Sequence, residues 1–527
     1  MLIGNRFTPN RPVFRFATLA AEIFARIGRH PTPVLALPSL WFLFYYLPFW
    51  GGIDTTVQLV EPAHDGNILH FPPVYCFLGR FPFFITDVLL NGHPAGIFER
   101  QHPSLITIYA LVVVQHIVLW VALRYFIFSI PSTDAGRGAA TGFLASIASF
   151  YSFAHTCGSE AMTAVTYFLV FGAGVRAVSR DTWSTWVIYT LALLLAIGSR
   201  HINIILAGWL PGLAILLWLS SRFSKRARNL ALLAALCSLV AVASEKAIVY
   251  SLCGRFGLIN RSSVGPTLSD RIATWIDRLP AAEKKALLES VQARTPDPLV
   301  KLAIEYQIEI GAYYNGTGAA LIEVLQKRGL SGEALNVEKE RLIFESSLCF
   351  YRTLSPGLLK QILGDFWHGF LPTNDQGIAM AGPKDAFISL ERIRQGQEDW
   401  AGVSNLPMFV PDTAKGTFLQ ATKDIWIRHW RWVPILVWTL LFFGLLWWRT
   451  ARGRLSVPFL LAGLSIFGVG MLIYAANCVC VYTLPRYVLP LLISVIAFGV
   501  ITAFASSPAL DPSEYKSGKK EAGRLRP

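Results

Sequence analysis

Long apolar runs separated by short polar connections dominate the chain, with one extended interruption. Runs long enough to cross a hydrocarbon core as helix, about 20 residues, predict spans at 33–50, 104–129, 138–155, 160–178, 183–199, 202–220, 230–250, 431–448, 455–475 and 486–506. Several are short or carry polar residues, which predicts broken or tilted helices among them. Between the seventh and eighth spans the pattern changes. "LSDRIATWIDRLPAAEKKALLESVQA" (Leu268–Ala293) places apolar residues at helical period with charges to either side. "DPLVKLAIEYQIEIGAYY", "GAALIEVLQKRG" and "LSPGLLKQILGDFWHGFLP" continue as helices with Gly or Pro stops. A connection this long is no bare loop. It predicts a mostly helical domain inserted between membrane segments. Its end, "IWIRHWRWVP", is a Trp/Arg-rich segment of the kind that settles at a membrane surface.

Composition supports this pattern. Of 527 residues, 53% are hydrophobic and only 15% charged, against about 25% charged in a soluble domain. The expected fold is an all-α polytopic membrane protein with about ten transmembrane helices. In such a protein the net charge of +14 is first a topology signal, and no nucleic-acid partner is expected. Arg137, Arg176 and Arg180, then Arg222, Lys225, Arg226 and Arg228, then Arg449, Arg452 and Arg454 fall on alternate connections. Basic clusters favour the cytoplasmic side, so both termini are expected there. The expected organisation is a basic, partly amphipathic N-terminal segment at 1–32, a membrane module of about seven spans at 33–250, an extracytoplasmic helical domain at 251–430, a second module of about three spans at 431–506, and a basic tail at 507–527. No small-residue cleavage site follows the first apolar run, so that run is expected to remain as an anchor.

The first outer loop, 51–103, concentrates the polar groups that hydrophobicity does not explain. It holds Asp54, in "FWGGIDTTVQL", together with Glu61, His64, Asp65, His70, Arg80, Asp87, His93, Glu99, Arg100 and His102. Recurrent prolines stiffen it by fixing their own φ and restricting the preceding residue. Its apolar piece "PPVYCFLGRFPFFITDVLL" is expected to form short helices on the membrane surface. No two of its histidines have the i, i+4 spacing of a helical ligand pair. A divalent cation such as Mg or Mn, shared between carboxylates and a substrate phosphate, fits these residues better than a protein-held zinc. Seven scattered cysteines have no metal-ligand spacing. Cys253, Cys349, Cys478 and Cys480 are expected on the outer side, and their pairing is left open.

Further polar groups fall at the outer ends of spans. They are His155, Ser159 and Glu160; Arg200, His201 and Asn203; Glu245 and Lys246; and Tyr482, Arg486 and Tyr487. Interfacial anchors and structural ion pairs would account for any one of them. Ionisable groups in a bundle are costly unless paired, however, and their concentration on one face points to an outward-facing site. An acid there would serve as general base on an acceptor hydroxyl. Arg200, Arg486 and Lys246 would neutralise a lipid-linked phosphate leaving group.

Taken together, these features resemble the GT-C class of membrane glycosyltransferases, which use polyprenyl-phosphate sugars as donors. The resemblance is loose, covers about 33–506, and is carried by three features. Asp54 stands near the start of the first outer loop, "HFPP" at 70–73 and "QHP" at 101–103 follow, and "PRYVLP" at 485–490 leads into the last span. It implies a catalytic acid at Asp54, with Glu61, Asp65 or Glu160 as a second acid. It also implies donor or acceptor contacts from His70, His102, His155, Arg200, His201, Lys246, Tyr482, Arg486 and Tyr487. The expected activity is transfer of a sugar from a polyprenyl-phosphate donor to a lipid-linked or cell-envelope glycan, at the periplasmic face of a bacterial inner membrane. Thr55 and Thr56 stand where the class often has a neighbouring acid. A surface-polysaccharide polymerase or ligase, and a lipid or glycan transporter, are the alternatives.

Overall fold

The computed structural model describes residues 11–45, 48–50, 58–60, 72–92, 96–101, 104–180, 182–221, 224–253, 261–310, 314–353, 355–371, 435–480 and 485–506. Asp54, Glu61, His64, Asp65, His70, His93, His102, Arg222, Tyr482, the Trp/Arg-rich segment and the basic tail, all singled out from the sequence, lie outside the described residues. So does the side chain of Arg486, whose backbone is helical.

The described chain is helical apart from two short strands. In order come α1 (Arg11–Arg29), α2 (Pro31–Tyr45), β1 (Phe49–Trp50), α3 (Pro73–Asn91), α4 (Leu105–Ser129), α5 (Asp134–Ser146), α6 (Ala148–Ala154) and β2 (Thr156–Cys157). Next are α7 (Glu160–Ser179), α8 (Trp183–Ile197), a 3-10 segment (His201–Gly208), α9 (Trp209–Ser220) and α10 (Lys225–Cys253). Six helices follow: α11 (Arg261–Ile276), α12 (Ala281–Ala293), α13 (Pro298–Glu309), α14 (Tyr314–Lys327), α15 (Gly332–Arg352) and α16 (Pro356–Phe370). The last three are α17 (Ile435–Ala451), α18 (Val457–Cys480) and α19 (Pro485–Phe504).

Among the described residues, seven helical stretches are long and apolar enough to cross a membrane: Pro73–Leu90, Ile106–Ser129, Glu160–Ser179, His201–Ser220, Lys225–Leu252, Val457–Cys480 and Tyr487–Phe504. Pro31–Phe44, Trp183–Ile197 and Ile435–Ala451 are shorter apolar helices. The chain is therefore an all-α polytopic membrane protein. Two elements differ from the hydropathy pattern. The run at 138–155 is not one helix, because it breaks at Ile147, whose backbone leaves helical geometry at φ −79°, ψ 89°. Conversely, the piece expected as short surface helices is a single helix, α3. It starts on Pro73, where a missing N–H costs nothing, and it runs through Pro82. Thr86 donates its hydroxyl to the carbonyls of Pro82 and Phe83, in the turn after that proline. In the inserted domain, the periodic stretch at 268–293 is likewise two helices. Pro280 stands at the N-cap of α12 and disfavours helix at the residue before it.

A continuous apolar core runs through the bundle, and helices α11 to α16 enclose a second, smaller one around Ile272, Ile304, Leu342 and Phe350. The two meet at α18. Tyr474 there donates its hydroxyl to the carbonyls of Asp365 and Phe366 (2.9 and 3.1 Å), and Tyr351 donates to Val479 O at 2.6 Å. Beneath this seam the buried Arg271 pairs with Asp365.

One end of the bundle is basic. Arg449 donates to the carbonyls of Thr502 and Ala505 (both 2.7 Å), at the C-terminus of α19. Arg226 does the same for Val178 and Ser179 at the end of α7. Cations at helix C-termini are favourable because the last carbonyls lack intrahelical partners. Ser506 N–H then ties this end to Pro131 O at 2.7 Å.

Candidate functional site

At the start of α7, β2 turns into the helix through Gly158 and Ser159. This turn organises three of the outer polar groups read from the sequence. β1 pairs with β2 in parallel, Phe49 opposite Thr156 and Trp50 opposite Cys157. On the far side of the Asp54 segment, the buried Gln58 accepts the Ser159 N–H through its side-chain oxygen at 3.3 Å. Chain positions four before and four after Asp54 are thus both fixed to residues 156–159.

A hydrogen-bonded relay holds this turn from below. Gln115, in the middle of apolar α4, donates to the carbonyls of Ala154 and Thr156, both at 3.0 Å. Its oxygen accepts from the Tyr75 hydroxyl at 3.0 Å. Tyr75 lies in the first turn of α3, and its N–H donates to Gly198 O at 3.2 Å. Gly198 has to be glycine, since a Cβ there would collide with Val74. Arg80, one turn further along α3, is fully buried. It donates to Gln58 O at 3.1 Å and to Ile97 O at 3.2 Å, so its charge fixes the flanking loop carbonyls. The arginine expected among loop polar groups is therefore a structural clamp on that loop.

Glu160 opens α7, where a carboxylate interacts favourably with the helix dipole. Its Oε1 lies 3.6 Å from Arg200 Nη2, and both side chains are nearly buried. Arg200 Cζ in turn sits 5.3 Å from the centre of the Tyr487 ring, a cation–π geometry. Tyr487 is the third residue of α19 and the neighbour of Arg486. The structure thus gathers Glu160, Arg200 and Tyr487 from three chain regions. Arg200 is positioned by the 3-10 segment behind it. Asn203 donates to Ala196 O at 2.8 Å and accepts from the Tyr167 hydroxyl at 2.9 Å, joining that segment to α7 and α8.

The remaining predicted residues fall elsewhere. His155 is completely buried, with its Nδ1 3.2 Å from His116 Nε2 and its ring 5.7 Å from that of Phe42. His116 Nδ1 in turn meets Ser39 Oγ at 2.9 Å. His201 is half-buried at the start of the 3-10 segment, which packs on α10. Lys246 and Glu245 lie on that helix, both buried, with Nζ 3.0 Å from Oε2. This contact lacks hydrogen-bond geometry, and among the described residues neither Glu245 oxygen has a hydrogen-bond donor. Among the described residues no three His, Cys, Asp or Glu side chains come together as a metal-ligand group. Cys349, Cys478 and Cys480 form no disulfide among the described residues. Tyr75, Gln115 and Tyr167 were not singled out from the sequence. For Gln115 a signal existed: with His116 it forms a polar pair in the middle of a long apolar run.

No protein-family model matches the chain, and no curated protein matches it at a significant level of similarity.

Proposed function

We propose that the chain is a membrane glycosyltransferase of the GT-C type. It moves a sugar from a polyprenyl-phosphate donor to a lipid-linked or cell-envelope glycan acceptor. The observation that carries this reading is the convergence of Glu160, Arg200 and Tyr487 beside a turn to which both flanks of Asp54 are tied.

In this reading Asp54 takes the proton from the acceptor hydroxyl. The hydroxyl oxygen attacks the anomeric carbon, the bond from that carbon to the phosphate oxygen breaks, and its electron pair leaves with the polyprenyl phosphate. Arg200 and Arg486 neutralise the charge that develops there. Glu160 orients Arg200 and is the described candidate for the second acid, with Glu61 and Asp65 as the others. These carboxylates are the residues that would hold a divalent cation such as Mg or Mn, which would supply further charge neutralisation for the leaving phosphate. His70, His102 and Tyr482 would border the substrate. In this reading the basic end of the bundle faces the cytoplasm, as the positive-inside rule favours, with both termini on that side and the site on the periplasmic face of a bacterial inner membrane.

The test is turnover in lipid nanodiscs supplied with polyprenyl-phosphate sugars, read as release of polyprenyl phosphate. Loss of a general base lowers rates roughly 10²–10⁴-fold, so Asp54→Asn should fall in that range. Full turnover in that variant would sink the reading. Chain-length growth of a glycan that persists in Asp54→Asn would favour a polymerase. Movement of an intact lipid-linked glycan across the bilayer would favour a transporter.

A further inference from the structure

Helix α1 belongs to neither the bundle core nor the site. Its sequence, RPVFRFATLAAEIFARIGR, carries four arginines and one glutamate in 19 residues. It is not among the helices apolar enough to cross a membrane. The helix nevertheless presents apolar side chains outward. Leu19 and Ile23, one turn apart, are 56% and 51% exposed. Glu22, Arg26 and Arg29 follow at i, i+4 and i+7 on the adjoining arc and are exposed as well. Arg29 Nε reaches Ala25 O at 3.4 Å. An apolar stripe beside a basic arc, on a helix too charged to span, is the pattern of a helix lying in a membrane interface.

Its position fits that role. α1 crosses the first turn of α5, where Gly28 and Gly138 let the two backbones touch. A Cβ on Gly28 would strike Asp134 O, and one on Gly138 would strike Phe24 O. That turn lies three residues beyond Pro131, which receives Ser506 at the basic end of the bundle. α2, a short apolar helix, begins two residues after α1 ends. The exposed stripe is therefore held at a bundle end that already carries Arg137, Arg226, Arg449, Arg452 and Arg454.

We propose that α1 is an anionic-lipid-binding helix: it lies in the leaflet at the basic end, with Leu19 and Ile23 among acyl chains and Arg26 and Arg29 on anionic phospholipid head groups. Lipid is favoured over a protein partner by this charge complementarity and by the direct continuity of α1 with an apolar helix.

Glu22→Cys and Ile23→Cys test it, each introduced into the full-length chain in nanodiscs holding one copy. Labelling by a membrane-impermeant maleimide is read per peptide by mass spectrometry. In discs of equal phosphatidylcholine and phosphatidylglycerol, Glu22→Cys should label at least about tenfold faster than Ile23→Cys. The gap should shrink in pure phosphatidylcholine, and also when Arg26→Gln and Arg29→Gln are added. Equal labelling at the two positions in both lipids overturns the proposal. So does a gap that appears only in discs holding two copies, which would assign the stripe to a second chain. A gap indifferent to lipid charge and to the arginines overturns the head-group assignment. The native cysteines serve as internal standards, and their unchanged labelling shows that each variant is folded.

Discussion

Replacing Gln115 by Leu removes the side chain that links α3, α4 and β2, and leaves a group of similar volume. Three hydrogen bonds are lost, from Tyr75 Oη and to the carbonyls of Ala154 and Thr156, each 3.0 Å long. At about 0.6 kcal/mol per side-chain hydrogen bond in a bilayer the loss is about 2 kcal/mol. At about 1 kcal/mol each, as in soluble proteins, it approaches 3. A 2 kcal/mol loss raises the population of the opened turn roughly 30-fold, since about 1.4 kcal/mol is a factor of ten. Cys157 reports that opening directly. It lies in β2, is fully buried, and forms no disulfide among the described residues. Its alkylation rate in Gln115→Leu should rise by about 30-fold, while Cys237 on α10 keeps its rate. Tyr75→Phe should raise it about 3–5-fold, and the double variant should fall short of the product of the two, because both changes delete the same bond. Wild-type alkylation of Cys157 in Gln115→Leu, or strict additivity in the cycle, would refute the claim that this relay holds the turn.

Other consequences are open to direct measurement. Arg200→Lys keeps the charge but loses the planar group that stacks on Tyr487 and faces Glu160; on the proposed function, polyprenyl-phosphate binding should weaken at least about tenfold, measured by titration with that lipid. Gly198→Val should separate α3 from the end of α8, because Val74 occupies the space, and should lower thermal stability while raising Cys76 labelling. In the inserted domain, Asp297 caps α13 by accepting from Leu299 N–H at 2.8 Å, so Asp297→Ala should cost about 1 kcal/mol in thermal or denaturant unfolding. Burial pushes the Asp297 carboxyl up, but the Leu299 N–H and Arg341 outweigh it and hold it below its ordinary 3.8. A lowered folded value means that its contribution is full above the ordinary carboxylate range and fades as pH falls through the lowered value. Asp297→Asn should flatten stability against pH in that acid range and lower it near neutrality, where the carboxylate's contribution is full.

Hydrophobic period made the membrane helices legible, because lipid requires every spanning residue to be apolar or internally satisfied. It failed where tertiary contacts override it. The run at 138–155 has the composition of a span, yet Ile147 breaks it between α5 and α6. α3 is one helix because Arg80 finds carbonyl partners in the folded loop, which no local pattern announces. In the site, Glu160, Arg200 and Tyr487 were readable as outer-end polar groups, but their meeting was not, since it depends on packing between α7, the 3-10 segment and α19. His155 shows the converse. Its place at a span end suggested a substrate contact, whereas its burial against His116 reflects how far β2 sinks into the bundle. The Tyr75–Gln115 relay joins residues 40 positions apart, and sequence spacing gives no access to it.

Polyprenyl-phosphate binding most directly tests the site at the centre of this account. Native mass spectrometry of the protein released from nanodiscs doped with undecaprenyl phosphate should show one lipid retained per wild-type chain and per Asp54→Asn chain. Retention should be lost in Arg200→Ala, where the cation beside Glu160 and Tyr487 is gone. Equal retention by wild type and Arg200→Ala, or none by wild type, would contradict it.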